Sequence, residues 1–86
     1  MKAAVFDTYV NKPDNSVMHF DIIVPDNTEF EKVQAYGHAY LSSKGLNDLQ
    51  LTTQECKFCH IEEASSELEA SIVAQGFGII ELGNCD

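Results

Sequence analysis

Basic residues are scarce: 5 Lys and Arg stand against 14 Asp and Glu, for a formal net charge of -9. A phosphate backbone is gripped by clustered Lys and Arg that release its counterions, so nucleic acid is excluded as a partner, and an anionic membrane surface with it. A cationic ligand, a basic protein surface or a metal ion fits the same charge. No apolar run approaches the roughly 18 residues that span a bilayer, and Lys2 to Phe6 meets Asp7 too soon to act as a signal peptide. The expected location is the cytoplasm. Three cysteines are an odd number, which excludes a simple disulfide framework in a reducing compartment. A glycine-rich phosphate loop, a Walker lysine, a Gly-x-Ser-x-Gly elbow and internal repeats are missing too. The expectation is a protein that is not an enzyme.

What is present is enough for one domain spanning residues 1–86. A chain of this length buries roughly 60 to 65% of its unfolded surface and cannot divide into two stable cores. With 44% hydrophobic and 22% charged residues, the composition is that of a globular protein.

Lys2 to Val10 and Ser16 to Val24 are rich in Val, Ile, Phe, Thr and Tyr, and Asn11-Lys12-Pro13-Asp14-Asn15 between them supplies turn residues. That combination predicts a β-hairpin. Met18, Phe20, Ile22 and Val24 alternate with Val17, His19, Asp21 and Ile23, so the first set and Phe6, Thr8 and Val10 are expected to face the core. Asp7, Tyr9, His19 and Asp21 then share the opposite face as a candidate binding patch. A loop from Asn11 to Asn15 would set Asp7 across from His19, a pairing of opposite charge.

Thr28-Glu29-Phe30-Glu31 has the form of a capping box, followed by Phe30, Val33, Gly37, Tyr40 and Leu41 at helical spacing and Gly45 at the expected left-handed end. A helix over residues 29–44 is predicted. Leu46 to Gln50 connects it to a turn capped by Thr52 or Thr53, and Lys57 to Ile61 reads as a third strand. Ser66 with Glu69 signals a second helix with Leu68, Ile72 and Val73 as its apolar stripe, ended by Gly76. Phe77 to Leu82 is a fourth strand. The order β-β-α-β-α-β predicts an α+β fold: a mixed four-stranded sheet with two helices packed on one face.

Cys56-Lys57-Phe58-Cys59-His60-Ile61-Glu62-Glu63 concentrates the remaining chemistry. Its Cys-x-x-Cys-His spelling matches c-type haem attachment, which the lack of a signal peptide disfavours. Two thiolates at this spacing can converge on zinc at about 2.3 Å, with Cys59, His60 and Cys85 joining Cys56 as the candidate set and His19 or His38 as alternatives for the imidazole. In an extended strand Cys59 and His60 point to opposite faces, so only one of them would share a site with Cys56. Glu55, Glu62 and Glu63 work against a redox thiolate. The plainer alternative is that the thiols are core or boundary residues.

The segments Phe6 to Val10, Met18 to Ile22 and Cys56 to Glu62, taken together, resemble a family of short bacterial proteins known as a domain of unknown function, number two thousand and twenty-four in its series. The resemblance covers the whole chain and implies a compact α/β domain with no established activity. The leading expectation is therefore a small cytoplasmic binding or interaction module, for a protein partner, a second copy or a small ligand. The competing one is a zinc-binding or thiol-active protein centred on Cys56, Cys59 and His60.

Overall fold

The computed structural model describes residues 1–47 and 51–85. Residues of the 46–50 connection beyond Asn47, and Asp86 of the tail, lie outside the described residues. Strands β1 (Lys2–Asn11) and β2 (Val17–Pro25) form the expected hairpin, followed by α1 (Phe30–Ser43), β3 (Cys56–Glu63), α2 (Ser66–Gln75) and β4 (Gly78–Gly83). The sheet order is β3-β1-β2-β4, so the hairpin is its centre and the later strands are its edges. Every neighbouring pair is antiparallel, which corrects the expectation of a mixed sheet while keeping the α+β order. The reason is that α1 carries the chain past β1 to a far edge, where β3 runs against β1.

The helices lie on opposite faces, a second correction. Val33 and Leu41 of α1, with Phe30, Tyr36 and Tyr40, pack on Ala4, Phe6, Val10, Met18, Phe20, Ile22 and Val24. Gly37 lets α1 approach closely, since a Cβ there would overlap the Leu51 side chain and stand 3.0 Å from Ile22 Cδ1. Ile72 and Leu68 of α2 instead cover Ala3, Val5, Ile23 and Ile80 on the other face. The central strands therefore read Ala3-Ala4-Val5-Phe6 and Ile22-Ile23-Val24, apolar on both sides where both sides are covered. Val73 is 78% exposed and does not belong to the α2 stripe.

Local signals are shifted by a residue or two. Helix α1 begins after Glu29 with no side-chain cap, so the Thr28 to Glu31 box does not form. In α2 the cap is Ser65, whose hydroxyl accepts from the Leu68 amide at 3.2 Å, not Ser66. Gly45 and Gly76 take the expected left-handed conformations, with φ of 78° and 96°. Thr52 caps the turn before β3, its hydroxyl accepting from the Gln54 amide. No helix among the described residues is long and apolar enough to cross a membrane.

Candidate functional site

Helix α2 has 10 residues and crosses only one end of its sheet face. Beyond it the same face is open, and the strand alternation fills it with Asp7 and Tyr9 from β1 and His19 and Asp21 from β2. The four residues predicted as a patch are thus together, but in a different register. Asp7 stands opposite Asp21 and Tyr9 opposite His19. The hairpin loop causes the shift: the Lys12 amide donates to the Ser16 carbonyl at 2.9 Å and Asn15 turns left-handed, so Asn11 pairs with Val17.

Like charges directly opposite on a sheet are destabilising, and the neighbours moderate this pair. His19 Nε2 reaches diagonally to Asp7 Oδ1 at 2.7 Å. Its ring stacks on Tyr9 with centroids 4.1 Å apart and an interplanar angle of 14°. The His19 hydrogen bond is the main influence holding the Asp7 carboxyl below the usual carboxylate range. Asp21 is pushed up to about 6, first by desolvation and then by the hydrogen bond and charge of Asp7. Below about pH 6 the two carboxyls therefore share a proton that Asp21 carries, and above it both are charged. Desolvation, followed by the Asp7 charge, raises the Tyr9 phenol. The ligand atoms of Asp7, His19 and Asp21 all lie within 4.8 Å of one another, each on a half-buried residue.

The cysteine segment does not gather as its spacing suggested. Cys56 pairs with Thr8 on the α1 side of the sheet, is 1% exposed, and accepts from Thr8 Oγ1 at 3.4 Å. Burial pushes its thiol up. Cys85 lies past the opposite edge strand, 7% exposed, and donates to the His19 and Gly83 carbonyls at 3.3 Å. His38 is exposed on α1. Among the described residues, Cys56, Cys59, His60 and Cys85 do not form a metal-sized cluster; Asp7, His19 and Asp21 do.

Cys59 and His60 depart from the strand rule. His60 pairs with Val5 and Phe58 with Phe6, which leaves Cys59 as the extra residue of a β-bulge. The bulge brings Cys59 Sγ to 3.2 Å from His60 Nδ1 instead of sending the two to opposite faces. His60 Nε2 is 2.8 Å from Glu62 Oε1. Glu62 pairs with Ala3 and His60 with Val5, so both stand on the face that holds Asp7. Cys59 adds to the rise of the Tyr9 phenol, and His60 opposes that of Asp21, as neighbours on one surface would. Glu62 stands on the His60 face by the alternation of the strand, but the contact of Cys59 with His60 does not follow from it, because a bulge that uses no glycine leaves no mark in the sequence.

Fold and site together define a small antiparallel α+β protein that presents carboxylates, imidazoles and one thiol on the open half of a sheet face. The chain belongs to the family described as a domain of unknown function, DUF2024, whose model matches residues 1–82. It is similar over its full length to protein NE1680 from Nitrosomonas europaea, a structural genomics target solved by NMR. The two share 36% identity with a TM-score of 0.87, and the match covers 100% of each chain. No curated protein matches the chain.

Proposed function

We propose that this chain is a small cytoplasmic binding module whose ligand is a divalent transition-metal ion held by Asp7, His19 and Asp21. The observation that carries this reading is the convergence of one imidazole and two carboxylates, with ligand atoms within 4.8 Å. Two ligands bound at about 2.1 Å are at most about 4.2 Å apart, so a sub-ångström rotamer adjustment closes the set around an ion. Imidazole favours zinc, iron, nickel or copper over magnesium and calcium, whereas carboxylates accept all of them. The net charge of -9 favours a cation at any point on this surface. Three protein ligands leave coordination positions for water or a second molecule.

The ion would take the place of the proton on Asp21. Because that carboxyl is raised to about 6, affinity is expected to fall as pH drops below about 6, with protons released on binding. The test is calorimetric titration of chelator-stripped protein with Zn2+, Co2+ and Mn2+. One equivalent should bind with a Kd of about 100 μM or tighter, equivalent to about 5.5 kcal/mol. Asp7→Asn with Asp21→Asn should weaken it at least about tenfold, while Cys59→Ser leaves it unchanged. Absence of binding, or loss of binding in Cys59→Ser with retention in the Asn double variant, rejects the reading.

A further inference from the structure

The proposed metal ligands leave Cys59, His60 and Glu62 unused, and these three have a chemistry of their own. A carboxylate only accepts, so Glu62 Oε1 at 2.8 Å fixes the proton of His60 on Nε2. The bare Nδ1 then faces Cys59 Sγ at 3.2 Å. A thiol beside a base that a third group orients is the arrangement of an activated nucleophile. Cys59 is exposed, whereas Cys56 and Cys85 are buried.

We infer that Cys59 is a modification site that forms a mixed disulfide with small soluble disulfides, with His60 as its base and Glu62 as the group that orients His60. The thiol proton passes to His60 Nδ1 and Cys59 Sγ attacks one sulfur of the disulfide. The new S–S bond forms as the old one breaks, and the departing thiolate takes the proton back from His60. The disulfide is the only oxidant required, and one small thiol is released per chain modified.

The location of Cys59 decides the fate of the adduct. Cys56 would be the resolving thiol of a Cys-x-x-Cys pair, but it faces the α1 core beside Thr8, while the bulge turns Cys59 to the open face. Cys85 is past the other edge of the sheet. With no thiol positioned to resolve it, the adduct persists until an external thiol removes it. The adduct would sit next to Tyr9, on the surface that carries Asp7 and His19.

The experiment uses the full chain with chelator present, so its outcome is independent of metal binding, and glutathione disulfide as the probe. Intact mass should show one glutathione per folded chain, lost in Cys59→Ser. His60→Ala should react at least about tenfold more slowly at neutral pH, the low end for a lost general base being about a hundredfold, and added imidazole should restore part of the rate. Glu62→Gln should react at a rate between those of wild type and His60→Ala. Continued adduct formation in Cys59→Ser overturns the site. A His60→Ala rate within about twofold of wild type, or a slowed rate that imidazole does not rescue, overturns the role of His60.

Discussion

Asp21→Asn tests the shared proton directly and is expected to stabilise the metal-free protein. The folded carboxyl is raised from 3.8 to about 6, so the stability linked to it is fully present below about pH 4 and lost as pH rises through about 6. Raising the carboxyl that far corresponds to roughly 3 kcal/mol. Asp21 is half-exposed, and screening of such a pair reduces this to about 1 kcal/mol. Asn keeps the shape of the side chain, can donate an N–H to Asp7 where the shared proton sat, and carries no charge. At pH 7.5 the variant should therefore gain about 1 kcal/mol, which for a domain of this size is about 4 to 8 °C in Tm.

The comparison of two pH values isolates the cause. Asp7, Asp14, Glu55, Glu63 and Glu81 are all held below their usual values, so the stability they contribute is present at neutral pH and is lost on acidification through their folded values. Four of these groups lie away from the substitution and titrate alike in both proteins. The advantage of Asp21→Asn should then shrink to a small fraction near pH 4, where wild-type Asp21 is already protonated. Thermal and urea unfolding followed by circular dichroism, with chelator and dilute protein at both pH values, reads this out. A variant less stable than wild type at pH 7.5, or an advantage of equal size at pH 4, refutes a proton shared between the carboxyls.

Gly37→Ala should destabilise by about 1 to 3 kcal/mol in urea unfolding, because overlap with the buried Leu51 outweighs a gain of about 1 kcal/mol in helix propensity. Ser65→Ala should cost about 1 kcal/mol by removing the α2 cap, while Ser66→Ala should change the midpoint little. Asn15→Gly should be neutral or slightly stabilising, and Asn15→Ala should lower stability by about 1 kcal/mol, since φ of 71° suits glycine and asparagine.

The alternation of two was legible where one face meets the core and the other meets solvent. Met18, Phe20 and Ile22 against His19 and Asp21 follow it, and the patch could be read from them. The placement of α2 was carried by a weaker signal: Val5 and Ile23 are apolar members of the nominally polar face, which means that something covers that end. Register was not legible, because a loop of the same length closes one step further along once Asn15 adopts a left-handed conformation. The bulge at Cys59 was not legible either, and it decides which cysteine neighbours which histidine.

The open half of the face is where the local rules of sheet stability are broken together. Asp7 faces Asp21 on β2, with Lys57 of β3 opposite it on its other side and His19 as its hydrogen-bond partner, and each of the central strands is flanked there by an irregular edge. The β1–β3 register shifts between Val5 and Phe6, and the β2–β4 register shifts between His19 and Phe20. At the covered end the same strands carry Ala3, Val5 and Ile23, and an apolar pair at positions 7 and 21 would have been compatible with the strand geometry. Domains carry only about 5 to 15 kcal/mol of net stability, so a carboxylate pair that costs about 1 kcal/mol is a substantial fraction of the margin. Such a pair relaxes only by binding a proton or a cation. At neutral pH, above the raised value of Asp21, the proton is mostly gone, and the cation is the partner that the remaining charge, the His19 imidazole and the open coordination space all favour.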